Sequence, residues 1–172
     1  AIRIWAMIET PRAMFNLGPM AELGHHHTAR LSCFVVGTND LLKETGVRDA
    51  SEIQPWLMQI VLAAKAGGLA VLDGVHNDFA DMPGFETASR LARNRGFDGK
   101  TLIHPSQIAP ANAIFAPDAE ELAQARTIIA AFALPENNGK GVVNIQGRMV
   151  ERLHLAMAEK TVALAGVIQE NN

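Results

Sequence analysis

Four polar residues, Glu9, Asp40, Asp73 and His104, each close a short apolar run, and they stand 31, 33 and 31 residues apart. A strand, its helix and two connecting loops occupy about 30 residues, so this spacing prescribes a repeated strand–helix unit. The runs are Ile2–Ile8, Leu31–Gly37, Leu69–Leu72 and Thr101–Ile103. Each is too short for a stand-alone helix and rich in Val, Ile and Leu, while the segments between them carry helical periodicity. The chain therefore reads as α/β with parallel strands. In such architectures the carboxyl ends of the strands surround the site, and the four side chains are expected to gather there.

With 172 residues and 48% apolar content, the chain has enough material for a folded core. A formal charge of −3, with scattered Lys and Arg, argues against a nucleic-acid partner. No apolar stretch reaches the roughly 20 residues that a bilayer requires, and no signal-peptide pattern opens the chain; neither suggests a membrane partner. Cys33 is the single cysteine and has no internal disulfide partner, which fits a reducing cytoplasm. Its position inside a strand pattern reads as a buried, inert thiol. The first strand begins almost at once, without an initiator methionine. Four strand–helix units are half of the eight that close a barrel of about 250 residues. The expectation is that an amino-terminal half with four more strands is missing from this chain.

Glu9-Thr10-Pro11 reads as a helix start, because proline is tolerated at the first helical position. Met14, Leu17 and Met20 continue that helix, and Gly18-Pro19 predicts a kink or two short pieces. After the second run, Gly37-Thr38-Asn39-Asp40 reads as a turn, with a longer loop expected through Gly46. Ser51 is expected to cap a helix whose stripe is Leu57, Ile60, Val61 and Ala64, stopped by Gly67-Gly68. A helix around Glu86–Arg95 is expected to bury Ala88, Leu91 and Ala92 and to end at Gly96. Beyond His104 the rhythm breaks. A short helix is expected near Gln107–Phe115. A second starts from Asp118 and Glu121 at capping-box spacing and runs to about Phe132. Then come a linker-like stretch at Leu134–Gly139, an extended Val142–Ile145 and a last helix over Glu151–Ile168. The domain reading is residues 1–116 as half of a barrel, with 117–172 as a helical lid or interface segment.

Two carboxylates at adjacent strand ends, Glu9 and Asp40, are of the type that holds a hard divalent cation. Mg²⁺ takes one or two protein carboxylates and leaves its other octahedral positions to water and substrate oxygens. On the pattern alone this signal is weak, and Glu9 as a helix cap and Asp40 as a turn former are the readings it favours. Asp73-Gly74 and Asn77-Asp78 read first as turn formers. His104, held extended by Pro105, is placed either to face a ligand or to serve the fold. The His25-His26-His27 run lies on a loop where consecutive residues cannot all face one ion, and reads as solvated. Phosphate-cradling glycine loops, a nucleophile elbow and a paired-cysteine zinc signature are absent from the sequence.

At these residues the chain resembles the HpcH/HpaI aldolase and citrate lyase beta-subunit family, which includes malyl-CoA and citramalyl-CoA lyases. The matching segments are Ala6-Met7-Ile8-Glu9-Thr10-Pro11-Arg12, Phe34-Val35-Val36-Gly37-Thr38-Asn39-Asp40-Leu41, and Leu72-Asp73-Gly74-Val75 with Asn77-Asp78-Phe79. Gly96 through Ile108 and Gly147-Arg148-Met149-Val150 complete the set. They follow the family's order and cover its carboxyl-terminal half, strands five to eight of a (β/α)₈ TIM barrel plus a helical tail.

The resemblance implies that Glu9 and Asp40 are the Mg²⁺ ligands, the metal chelating a 2-oxo acid and polarising its carbonyl. It implies that His104, Pro105, Ser106 and Gln107 line the path of coenzyme A. Many relatives carry aspartate after Gly-x-Met-Val, often reaching into a neighbouring subunit as the acid/base group; here that position is Glu151, one methylene longer. The implied protein is a cytoplasmic homo-oligomer, a trimer or hexamer of the full-length chain. The implied reaction splits malyl-CoA, citramalyl-CoA or citryl-CoA into acetyl-CoA and a 2-oxo acid, or runs the reverse condensation. Two alternatives are an aldolase acting on free hydroxy-oxo acids and a non-catalytic acyl-CoA-binding or assembly subunit. The family's substrate-binding arginine and further acidic residues belong to early strands that this chain does not contain.

Overall fold

The first three apolar runs, and the two residues just before the fourth, pair side by side in chain order. In the computed structural model, which describes residues 2–170, they form one parallel sheet from β1 (Ile4–Ile8), β2 (Leu31–Val36), β3 (Ala70–Asp73) and β4 (Gly99–Lys100), ordered β1-β2-β3-β4. The register sets Ile8 beside Val36, Val35 beside Leu72, and Asp73 beside Lys100. The polar residues that close the runs therefore emerge along one rim.

Between the strands come α1 (Pro11–Phe15), α2 (Leu17–Glu22), α3 (Thr38–Thr45), α4 (Gln54–Ala66) and α5 (Met82–Asn94), and α6 (Ile108–Phe115) follows β4. Side chains alternate across a strand. Ile8, Phe34, Val36 and Val71 point to the helical side, where they share a core with Leu17, Ala21, Leu41, Leu57, Ile60, Val61, Ala64 and Ala92. Phe34 is fully buried, and emptying such a site typically costs about 3–5 kcal/mol. On the opposite face of β1, Trp5 and Met7 remain 61% and 48% exposed.

Local chemistry explains most boundaries. The Thr10 hydroxyl accepts from Ala13 N–H at 3.1 Å and Pro11 opens α1. Pro19 lacks the N–H that would bond to Phe15, so the helix breaks at Asn16 into the two short pieces expected. Gly67 ends α4, and Gly68 (φ 64°) adopts the left-handed turn that lets the chain enter β3.

Several expectations need correction. The anticipated loop from Gly37 to Gly46 is helix α3. Its turn-forming residues make the helix amino terminus, buried Leu41 anchors it, and left-handed Gly46 ends it. Ser51 is not the cap. Asp49 accepts from its N–H at 2.8 Å and starts a 3₁₀ turn over Ala50–Ile53 that leads into α4. Helix α5 begins earlier than Glu86, capped by Asp81, and buries Phe85, Ser89 and Ala92. Leu91 is 46% exposed; rotating the buried stripe to include Phe85 turns Leu91 outward. The last strand is Gly99–Lys100 rather than Thr101–Ile103. Once Thr101 N–H has reached the Asp73 carbonyl (3.0 Å), β3 has ended and offers no further ladder.

The chain divides into two compact units between Phe115 and Ala116. The second contains α7 (Ala119–Ala133), β5 (Val142–Ile145), β6 (Arg148–Glu151) and α8 (Arg152–Glu170). Asp118 and Glu121 close a complete capping box on α7, each accepting from the other's N–H at 2.8 and 2.9 Å. The sequence reading anticipated β5 but not β6. Gln146 (φ 52°) and Gly147 (φ 82°) make the two-residue left-handed turn that joins them. Among the described residues no helix is long and apolar enough to cross a membrane.

Candidate metal centre at the strand ends

Gly37 joins β2 to α3 and lies against Glu9. Its N–H donates to the Ile8 carbonyl at 3.0 Å, which brings the end of β2 against Glu9. A side chain at position 37 would collide with Glu9, whose Oε2 lies 2.7 Å from where the Cβ would be. The Glu9 carboxylate thus occupies space that glycine leaves free. Asp40 is in the first turn of α3, three residues beyond Gly37 and about 4.5 Å further along the axis. Among the described residues neither Glu9 nor Asp40 accepts a hydrogen bond or forms an ion pair.

The other carboxylates on this rim are engaged. Asp73 Oδ2 is 2.6 Å from Lys100 Nζ, with the two side chains 13% and 3% exposed, and the same ammonium donates to the Gly74 carbonyl at 2.5 Å. Asp78 accepts from Ala80 and Asp81 N–H groups. Asp73 and Asp78 therefore serve the fold. Two carboxylates without partners among the described residues, one directly after β1 and one in the first turn of the helix that follows β2, suit Mg²⁺, a hard cation bound through one or two such groups. Among the described residues no three His, Cys, Asp or Glu side chains group to hold an ion.

Beyond β4, Pro105 keeps His104 extended (φ −143°, ψ 142°), and the ring accepts from Ser106 N–H at 3.2 Å through Nδ1. A backbone N–H only donates, so the neutral ring carries its proton on Nε2. Ser106 Oγ lies 2.7 Å from the same Nδ1, and the ring stacks on Phe79 with centroids 4.8 Å apart and planes 18° from parallel. Both rings are exposed. Gln107 behaves differently. It is fully buried, its Oε1 accepts from Ile103 N–H and its Nε2 donates to the His76 carbonyl. Its side chain holds the segment from within.

The loop after β3 links these parts. Asn77 and Asn39 exchange amide hydrogen bonds of 2.8 and 3.0 Å, and Gly74 lies where any side chain would strike Thr38. Sequence reasoning passed over Lys100, Asn39 and Phe79 as partners. Only for Lys100 was a signal available, an opposite charge beginning the run that pairs with the one Asp73 closes.

Glu151 belongs to the second unit. It ends β6, is half-buried, and its N–H donates to His154 Nδ1 at 2.9 Å, so the imidazole caps the start of α8. The histidine run is partly structural. His25 lies 3.0 Å from the Ala66 carbonyl, where it caps the end of α4, while His26 and His27 are exposed. A cleft of 760 Å³ lined by Met14, Phe15, Trp56 and Leu62 lies in the helical layer, and one of 590 Å³ lies between α7 and the β5–β6 hairpin. Neither includes Glu9 or Asp40, which stand on an open rim.

Known proteins resemble this chain. The description HpcH/HpaI aldolase/citrate lyase matches residues 1–105. The (3S)-malyl-CoA thioesterase of Cereibacter sphaeroides is 45% identical over 168 residues, 96% of this chain and 57% of that protein. The mitochondrial citramalyl-CoA lyase of Homo sapiens is 35% identical over 170 residues, 95% of this chain and 50% of that protein. The chain thus spans about half the length of these relatives. Among solved structures, protein CitE from Mycobacterium tuberculosis, in complex with magnesium, acetoacetate and coenzyme A, superposes with a TM-score of 0.74. It is 30% identical, covering 95% of this chain and 61% of that one. With more than half of its length matched and its strand-end motifs in order, the chain belongs to the HpcH/HpaI aldolase/citrate lyase family.

Proposed function

We propose that this chain is the carboxyl-terminal half, strands five to eight and tail, of a (β/α)₈ barrel enzyme. In this reading the enzyme is a Mg²⁺-dependent carbon–carbon lyase acting on a 3-hydroxyacyl-CoA thioester such as malyl-, citramalyl- or citryl-CoA. Several features support the barrel reading. The parallel strands run in order without the reversal of a doubly wound sheet. The helical core lies against Ile8, Phe34, Val36 and Val71, and the other face of β1 presents Trp5 and Met7. Relatives twice this length supply room for the other strands.

The observation that carries the chemistry is two carboxylates without partners among the described residues, Glu9 packed against Gly37 and Asp40 in the first turn of α3. Glu9 and Asp40 would hold the metal. Bound there, Mg²⁺ would supply Lewis-acid polarisation of a 2-oxo acid carbonyl. Asp73, neutralised by Lys100, adds no competing charge to the rim. The segment His104–Gln107 would border the coenzyme A path, with His104 presenting its Nε2–H and Pro105 and Ser106 fixing the ring. Glu151, supplied in this reading by a neighbouring subunit of a cytoplasmic trimer or hexamer, carries the proton. It gives one to the acyl-CoA carbon released in cleavage and takes one in condensation.

A second reading is favoured by the relatives at 45% identity, which are malyl-CoA thioesterases: the same site would cleave the thioester instead. Product analysis separates the two. The intact protein given malyl-CoA and Mg²⁺ should yield acetyl-CoA and glyoxylate; malate and free CoA would establish hydrolysis. Cleavage of free hydroxy-oxo acids, unaffected by CoA, would establish the aldolase, and tight CoA binding without any bond cleavage a non-catalytic subunit. Undiminished turnover in both Glu9→Ala and Asp40→Ala would reject the metal assignment.

A further inference from the structure

Helix α3 begins without a side-chain cap. Gly37 precedes it, and no side chain accepts from its first N–H groups. Yet this unsupported turn carries Asp40. What holds it comes from a different loop. Asn39 Nδ2 donates to Asn77 Oδ1 at 3.0 Å and Asn77 Nδ2 donates to Asn39 Oδ1 at 2.8 Å. Each amide gives and receives one bond, so both planes are fixed together.

The loop that provides Asn77 is itself anchored. Lys100 binds Asp73 and the Gly74 carbonyl, Gln107 holds the His76 carbonyl at 3.2 Å, and Thr38 presses against Gly74. We propose that Asn39 and Asn77 form a clasp that positions Asp40 for the cation. The inference rests on the metal reading above and adds two positioning residues to it. Amides suit the task. Each supplies a donor and an acceptor without charge, whereas a carboxylate at either position would lose one bond and repel Glu9 and Asp40. Both asparagines are exposed, so water competes for the clasp and global stability depends little on it. The orientation of the turn depends on it far more.

Groups that orient metal ligands typically change metal affinity 10–100-fold when removed. The test is calorimetric titration of the intact protein with MgCl₂ alone, alongside thermal unfolding, for wild type, Asn39→Ala, Asn77→Ala, the double variant and the near-isosteric Asn77→Leu. Each single change should weaken Mg²⁺ binding by about tenfold with the melting temperature held. The double variant should be no weaker than the worse single one, because the two amides act as one unit. Asp40→Ala separates the two levels of the argument. If wild type binds Mg²⁺, Asp40→Ala abolishes it, and Asn77→Ala and Asn77→Leu bind as wild type does, the clasp is overturned and the metal centre stands. If Asp40→Ala leaves binding unchanged, the metal reading itself is lost.

Discussion

Lys100 and Asp73, opposite one another on neighbouring strands, form an ion pair of 2.6 Å with almost no solvent contact. Removing the cation would leave a carboxylate with little water and no partner. Breaking such a pair from one side typically costs about 3–5 kcal/mol. Lys100→Met should lower the urea midpoint accordingly, since the Gly74 carbonyl loses its donor as well. An unchanged midpoint would show that the pair contributes nothing to the fold.

Gly37→Ala tests the packing of Glu9. The new methyl would meet the Glu9 side chain at its Cβ and at Oε2. The Cβ cannot swing aside, so the ends of β1 and β2 must separate. Overpacking of this kind costs about 1–3 kcal/mol, and the displaced carboxylate should weaken Mg²⁺ binding further than stability alone accounts for. Full retention of both stability and Mg²⁺ affinity would contradict the placement of Glu9.

Asp49 accepts from the Ser51 N–H and from its hydroxyl, at 2.8 and 2.7 Å. The backbone bond first, then the hydroxyl, hold its carboxyl below the usual aspartate value. The folded group therefore releases its proton more readily than the unfolded one. The resulting stabilisation is complete above the unfolded value of about 3.9 and is lost as pH falls through the lower folded value. NMR titration should find Asp49 below the ordinary range, and Asp49→Asn should flatten the acid limb of the stability profile. A midpoint at or above the ordinary value would remove the cap from the account.

Cys33 is buried in β2, and burial, reinforced by the charge of Asp98, pushes its thiol up. The thiolate is the reactive form. Ellman's reagent at about pH 7.5 should label the native protein slowly and label one thiol rapidly in urea, given the single cysteine. Fast native labelling would mean that β2 opens readily or that its surroundings are polar.

The spacing of polar residues at the ends of apolar runs determined the strand–helix repeat, the parallel sheet and the rim on which Glu9, Asp40 and His104 stand. The helix start at Glu9-Thr10-Pro11, the split near Pro19 and the Asp118–Glu121 box were legible for the same reason: each depends on residues within a few positions of one another. Tertiary structure decided what the rim does with its charges. Asp40 and Asp73 look alike as local sequence, each beside residues that favour turns. Strand register brings Lys100 against Asp73, and among the described residues nothing comparable reaches Asp40 or Glu9. Long-range contacts also took Gln107 into the interior, stacked Phe79 on His104 and joined Asn39 to Asn77 across 38 residues. Short-range patterns set where side chains emerge, but the pairing of distant segments sets which of them remain free to bind.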